Sequence, residues 1–422
     1  MVFRFMHIAD IHLDTPFQNR DERLRQVLGE CVRKSFSASV DLAIERKVHA
    51  LLIAGDLFDD SSLSYRTVKF LQRELERLGE KGIEVFYSPG NHDPIMGNGY
   101  DKVINWPDNV HIFSSPEAES VPVLDENGRL LAYVVGAGHE RRAEGRNLVK
   151  GFPQRMGSVP YVGLLHCLLL DGQGAGEHER YAPCTRWDLE EKGYAYWALG
   201  HIHRRMEYRD NTYIVYPGNI CGRNFKETGV KGGYYVEVND MGTLKVEFIP
   251  LSNNIWIDLE ICGLEEIDSW PSFEAYLTSC VTEKLEEIPS YAGINMVFVR
   301  LKLTGASPMY RELLNWENIE AMEEDMASDL GLDSLEINTE HIYSPIKIDD
   351  YKGGPHLASY TLKLIEEAKG DEELLISLAP DPIARKAVRG SKVETLEYLK
   401  ELLEGLENEA LVHLIEEDGY EI

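Results

Sequence analysis

Seven side chains able to ligate a metal ion recur in five short signatures along the first half of the chain. They are Asp10-Ile11-His12, Gly55-Asp56-Leu57-Phe58-Asp59, Gly90-Asn91-His92-Asp93, His166 and Gly200-His201-Ile202-His203. Hydrolysing a phosphate ester requires neutralising charge on the phosphoryl oxygens, generating hydroxide near neutral pH and stabilising the departing alkoxide. Two divalent ions about 3.5–4 Å apart, bridged by a water that becomes the nucleophile, can do all three. Asp10 and His12 can face one ion, and Asp56 is the natural shared carboxylate, with Gly55 letting the chain turn beneath it. Asn91 offers a neutral amide oxygen. The expected shells are Asp10, His12, Asp56 and His203 on one metal, and Asp56, Asn91, His166 and His201 on the other. With no thiolate among them, this donor set suits manganese, iron or zinc and does not choose between them.

His92 is left over beside a ligand, the position a general acid needs: within reach of a leaving oxygen but off the metals. Asp59 is expected to orient its imidazole and favour the protonated form; otherwise Asp59 caps the helix that follows. Asp93 is expected to close its loop through backbone hydrogen bonds. His7, His49 and His111 sit in or beside strands and read as structural, whereas His139 and His178 lie on loops from which they could approach a substrate. Arg141, Arg142 and Arg146, then Arg204 and Arg205, then Arg223, Lys226 and Lys231 cluster in loops after strands. There they could hold a phosphate backbone or serve as solvated surface charge. Cys167, next to His166, reads as a small space-filling residue.

Most signatures follow a run of strand-forming residues: 3–8, 50–54, 83–87, 161–165 and 196–199. Each chemical residue therefore falls just past the carboxyl end of a strand, where open α/β sheets gather their ligands. Helical stretches over 22–47 and 64–82 alternate with these strands, and 212–216, 233–238 and 244–250 extend the strand-rich part. This pattern predicts an α/β (α+β) domain over 1–250 made of two facing mixed β-sheets flanked by helices. Residues 251–350 read strand, helix (264–285), strand (295–303), helix (309–329), strand (334–341): a small α+β capping module carrying none of the signatures. From there a helical C-terminal region runs through 351–422, with helices over 357–368, 372–378 and 393–415. In the last, Leu396, Leu399, Leu403, Leu406 and Ala410 form an apolar seam flanked by Glu397, Glu401, Glu404 and Glu407. That seam packs on its own module or docks a partner helix.

The formal charge of −29 argues against a nucleic-acid binder until its distribution is read. Residues 251–422 hold 37 Asp and Glu against 13 Lys and Arg, while residues 1–250 hold 35 against 30. The part with the signatures is nearly balanced before two divalent ions add their charge. The six cysteines (31, 167, 184, 221, 262, 280) form no CxxC pair, so reduced, mostly buried thiols are expected. With no apolar run near the roughly 20 residues needed to span a bilayer, a cytoplasmic protein without membrane association is expected.

The forms Ala9-Asp10-Ile11-His12-Leu13, Ala54 to Asp59 and Pro89 to Asp93 resemble the calcineurin-like metallophosphoesterases, in particular the SbcD/YhaO-type DNA repair exonucleases. Leu13-Asp14-Thr15-Pro16-Phe17 and Tyr216-Pro217-Gly218-Asn219-Ile220 sharpen the resemblance, which is specific over about 4–235. It implies two metals, typically manganese, on Asp10, His12, Asp56, Asn91, His166, His201 and His203, with the leaving group served by His92. It also implies exonuclease or endonuclease action on DNA and a partner ATPase with coiled-coil arms; whether two copies pair as a homodimer is left open. Asp14 departs from the SbcD-type pattern and is expected to add a carboxylate near the phosphate path. A phosphodiesterase on small molecules or cyclic nucleotides, and a regulatory scaffold for the ATPase, stand as alternatives.

Overall fold

A computed structural model describes residues 1–18, 22–59, 63–96, 103–172, 176, 179–345 and 348–378, then 396, 399, 400, 403, 406, 407, 410, 411 and 414. The chain clusters into two compact units. One comprises Met1–Ile257 with Glu287–Phe298, and the other Asp258–Glu286 with Val299–Ile422.

The first unit opens β1 (Val2–Ile8), α1 (Glu22–Glu45), β2 (Ala50–Ile53), α2 (Tyr65–Gly79), β3 (Glu84–Tyr87) and β4 (Val110–Ile112). It continues with β5 (Glu119–Leu124), β6 (Leu130–Gly136), β7 (Tyr161–His166), α3 (Arg186–Glu190), β8 (Tyr196–Gly200), β9 (Met206–Arg209), β10 (Tyr213–Tyr216), β11 (Gly232–Asn239) and β12 (Gly242–Pro250). Two six-stranded mixed sheets result, ordered β12-β11-β1-β2-β3-β4 and β5-β6-β7-β8-β10-β9. β1 to β4 run parallel, as do β6, β7, β8 and β10, so their carboxyl ends share an edge in each sheet.

The continuous apolar runs of these strands are explained by burial on both faces. Phe3, Phe5, Ala50, Leu52 and Phe86 meet Val162, Leu164, Tyr196 and Ala198 in the core between the sheets. The alternate residues Met6, Ile8, Leu51, Ile53 and Val85 pack on Val32, Phe36 and Val40 of α1 and Leu71, Leu75 and Leu78 of α2, which recur at helical spacing. Across the other sheet, Leu165, Trp197 and Leu199 pack on Phe152, Leu189 and Tyr194. The result is layered helix, sheet, sheet, outer loops and short helices, with the signatures at the strand ends.

β13 (Asn254–Ile261), β14 (Met296–Ala306) and β15 (Ser334–Tyr343) form a three-stranded sheet. The second unit carries α4 (Trp270–Glu286), α5 (Tyr310–Leu313), α6 (Trp316–Leu330), α7 (Leu357–Gly370) and α8 (Glu372–Leu378). The single helix expected over 309–329 is broken, because the Asn315 side chain accepts from Glu317 N and starts α6 afresh as its N-cap. The helix expected from 264 begins only at Trp270, with Pro271 in the first turn where a missing N–H costs little. Most of the helix expected over 393–415 lies outside the described residues. Of its seam, Leu396 and Leu399 pack with Leu375, and the following Leu411 with Ala358 and Leu362. No helix among the described residues is long and apolar enough to cross a membrane.

Candidate metal centre

The loops after β1 and β2 run side by side as an irregular ladder. Asp10 N donates to Gly55 O, His12 N to Asp56 O and Leu13 N to Leu57 O, at 3.2, 3.0 and 2.9 Å. Four candidate ligands adopt left-handed backbone: Asp10 (φ 50°), His12 (52°), Asp56 (49°) and His201 (103°). Asp and His tolerate this region better than most residues, and strain of this kind gathers at functional sites. Glycines make the convergence possible. A Cβ at Gly55 would run into the His166 imidazole, one at Gly90 into the Asp56 carboxylate, and one at Gly200 into the Ala54 carbonyl.

All seven expected ligands converge. Asp10, His12, Asp56 and His203 present donor atoms that all lie within 4.8 Å of one another, the set expected around the first metal. Nε2 of His12 and Nε2 of His203 stand 3.1 Å apart. Two nitrogens each about 2.1 Å from one ion and roughly 90–100° apart would show about this separation. On the other side of Asp56, His166 Nε2 lies 3.5 Å from its Oδ2 and 2.9 Å from Asn91 Oδ1. The His201 ring centroid is 5.3 Å from that of His166. Asp56 thus stands between both sets, where a shared carboxylate belongs.

Each of the four imidazoles has one nitrogen engaged outward. His12 Nδ1 is 2.8 Å from Asp59 Oδ1, His203 Nδ1 2.9 Å from Glu227 Oε1 and His166 Nδ1 3.0 Å from the Ala54 carbonyl. Because carboxylate and carbonyl oxygens only accept here, these nitrogens carry the proton and Nε2 is left as the donor to a metal. His201 is turned the other way: Nε2 donates to the Glu179 carbonyl at 3.0 Å, which leaves Nδ1. Arg223 Nη2 also lies 3.2 Å from His203 Nδ1, but the nearer Glu227 carboxylate decides the tautomer.

The electrostatics suit a bound cation. Burial, followed by the neighbouring Asp56 charge, pushes the Asp10 carboxyl well up from its ordinary range, and burial also raises Asp56. Burial drives His12 and His166 down, so both stay neutral and able to ligate. Two buried carboxylates, an amide oxygen and four imidazoles, of which burial holds His12 and His166 neutral, fit divalent ions.

Residues 3–205 match the family model of the calcineurin-like phosphoesterases. The chain is 32% identical over 355 residues to the uncharacterized metallophosphoesterase YhaO of Bacillus subtilis, covering 82% of this chain and 81% of that protein. It belongs to the calcineurin-like metallophosphoesterases. This metallophosphoesterase is also 26% identical over 273 residues to the DNA double-strand break repair protein Mre11 of Methanocaldococcus jannaschii, covering 61% of this chain and 69% of that one. The SbcD/YhaO type is the one to which these similarities point.

In the metallophosphoesterase centre, His92 stands apart from the seven. Its ring packs edge-on against His12 with centroids 4.9 Å apart, and its side chain is 29% exposed where His12 and His166 are sealed. The Asp59 carboxylate expected to partner it serves His12 at 2.8 Å and lies 3.5 Å from His92 Nδ1, while the Asp59 main-chain carbonyl takes the closer position at 3.1 Å. Ser64, rather than Asp59, caps α2. Asp93 accepts from the amides of Asp56, Leu57, Phe58 and Gly90 and from the Tyr87 hydroxyl, tying two ligand loops together. Burial, and then Asp56, raise its carboxyl to about 7.

Several expectations are corrected here. The Asp14 carboxylate, expected near a phosphate path, is taken up by the start of α2. It accepts from Ser64 N (2.7 Å), Ser64 Oγ (3.2 Å) and Thr67 Oγ1 (2.5 Å), anchoring the start of α2. His139 is fully buried, bonded to the His166 carbonyl at 2.6 Å and cannot approach a substrate; His178 lies outside the described residues. Of the basic loop residues, Arg146 is committed to Glu140 and Glu144, Arg205 lies 4.3 Å over the Phe248 ring, and Lys231 is buried with Nζ 3.0 Å from the His203 carbonyl. Arg223 is almost wholly buried against Glu227. Arg141, Arg142, Arg204, Arg205 and Lys226 are exposed and carry no carboxylate partner that would neutralise them among the described ion pairs. Cys167 is buried with its Sγ 3.8 Å from that of Cys184, away from any donor role.

Sequence reasoning missed Glu227 as the partner of His203. The available signal was a charged pair, Arg223 and Glu227, inside an otherwise glycine- and Asn-containing loop between two buried strands.

Proposed function

We propose that the chain is a two-metal-dependent phosphodiesterase that cuts DNA, with the sets Asp10, His12, Asp56, His203 and Asp56, Asn91, His166, His201 holding the ions and His92 as general acid. Manganese is the expected metal, with iron or zinc as substitutes. When bound, the ions would supply Lewis acidity at the phosphoryl oxygens and a nucleophile at neutral pH. The residues of the chain do the rest. Asn91 and the neutral imidazoles add no negative charge, so the centre stays attractive to an anionic ester.

The observation that carries the acid assignment is an unligated, solvent-reachable imidazole beside the ligands. Nδ1–H of His92 donates to the Asp59 carbonyl at 3.1 Å, which fixes the ring and leaves Nε2 for the departing oxygen. Relatedness to Mre11 proteins supports DNA as substrate, and the exposed Arg141, Arg142, Arg204 and Lys226 supply positive charge for its backbone. With manganese, the purified chain is expected to release nucleotides from linear DNA. His92→Ala should lower kcat about 10²–10⁴-fold while two ions still bind; undiminished cutting by that variant would remove His92 from its role.

One observation favours a smaller substrate: Arg223 and Lys231 are largely buried and Arg146 is paired with Glu140 and Glu144, which thins the basic surface. Turnover of bis(p-nitrophenyl) phosphate and cyclic nucleotides exceeding that of DNA would select this alternative. Docking of a coiled-coil ATPase partner is part of the same proposal, with the acidic 251–422 region as the candidate contact for a basic partner surface.

A further inference from the structure

The two halves of the centre are held by different chemistry. His166 and His201 rest on main-chain carbonyls, those of Ala54 and Glu179. His12 and His203 rest on carboxylates, Asp59 and Glu227. An imidazole that donates to a carboxylate is oriented more firmly, and is a more basic donor at its other nitrogen, than one that donates to a neutral carbonyl. The cost is crowding, since Asp10, Asp56, Asp59 and Glu227 place four carboxylates around one ion's ligands.

One guanidinium joins the two supports. Arg223 Nη2 lies 2.6 Å from Glu227 Oε1, and Nε lies 3.2 and 3.1 Å from Oε1 and Oε2. Its Nη1 reaches 3.5 Å from Asp59 Oδ1 and 3.4 Å from Thr15 Oγ1, which itself donates to the His12 carbonyl at 2.8 Å. Glu227 is immobilised further by Asn219 Nδ2 at 2.8 Å and the Arg223 amide at 2.9 Å. The fork of a guanidinium, with donors fixed in a plane, can span two carboxylates at once, which a lysine ammonium on a flexible stem cannot do with the same geometry.

We propose that Arg223 is the positioning residue of the first metal set: by fixing Asp59 and Glu227 together it sets the rings of His12 and His203, so that this set binds its ion more tightly than the set of Asn91, His166 and His201. This rests on the two-metal reading of the centre but not on DNA as the substrate. Loading is therefore ordered, with the ion held by Asp10, His12 and His203 entering first.

The test is calorimetric titration of the metal-stripped full chain with Mn²⁺. Wild type should bind two ions of unequal affinity. Arg223→Gln should weaken the tighter one about 10–100-fold and leave the weaker one unchanged. In a His201→Gly background, which removes a ligand of the weaker set and keeps the positive φ of that position, the single remaining ion should be weakened by the same factor when Arg223→Gln is added. Arg223→Lys and Glu227→Gln, each keeping the bulk of the buried pair, should show a smaller loss at the same ion, so the result does not hang on one variant folding. Two ions of equal affinity in wild type, unchanged tight binding in all three variants, or a loss confined to the weaker ion would each overturn the proposal. A chain that shows the predicted titrations but cuts no DNA leaves it standing and sinks the substrate reading instead.

Discussion

At the scale of single residues, convergence and commitment separate cleanly. The seven ligands were legible in the sequence because each pairs a donor type with a strand end, and strand ends of one sheet edge must meet. The partners of those ligands were not. Glu227 reaches His203 from 24 positions away through a loop, and Asp59 turns to His12 instead of His92, choices made by tertiary packing that no spacing encodes. The arginines show the same limit, since exposure and pairing decide which can meet a phosphate. Arg141→Gln and Arg204→Gln are expected to raise the KM for DNA several-fold and to flatten its salt dependence, whereas Arg146→Gln, whose guanidinium is neutralised by Glu140 and Glu144, leaves both nearly unchanged. Steady-state assays at two salt concentrations check this.

At the scale of elements, periodicity found the buried strands and the amphipathic helices, and local chemistry placed their ends less well. β4 and β5 escaped the sequence reading because their burial is partial or mixed, with exposed positions in β5 and half-buried ones in β4, and β6 escaped it although most of its residues are buried. Asp14 illustrates a residue whose role belongs to an element it is not part of. Its carboxylate holds the first turn of α2 through three donors, so Asp14→Asn, which tolerates the left-handed backbone there (φ 61°), should cost about 1 kcal/mol of stability with metal affinity largely kept. Chemical denaturation alongside metal titration measures both, and a collapse of metal affinity at unchanged stability would instead place Asp14 in the centre.

At the scale of the whole molecule, the two facing sheets bury a polar pair, His7 and Tyr196, whose Nδ1 and hydroxyl lie 3.0 Å apart. Burial holds His7 neutral by lowering it to about 3. A group neutral in the fold but free to protonate when unfolded contributes stability above its ordinary value near 6.5, and that contribution is lost as pH falls from there toward 3. At pH 5 the loss is about 2 kcal/mol. The Tm should therefore drop between pH 7 and 5, and His7→Gln should flatten that drop; an unchanged slope would assign the acid limb to other groups. The division of the chain into 1–250, 251–350 and 351–422 is likewise a proposal about folding units. Limited proteolysis should cut first near 350 and leave a stable fragment containing 1–250 that retains both metal ions.

The left-handed backbone at Asp10, His12, Asp56 and His201 bears on how this centre should be dissected. Replacing any of them by alanine removes a donor and also installs a residue that resists such a conformation, so a conventional alanine scan would mix lost coordination with a misfolded loop. Asn at positions 10, 12, 56 and 201 accepts the same dihedral angles far more readily. The four positions thus restrict which sequences can drift at the site: a lineage that lost the metals would be expected to retain Asp, Asn, His or Gly there, preserving the outline of a centre after its chemistry had gone.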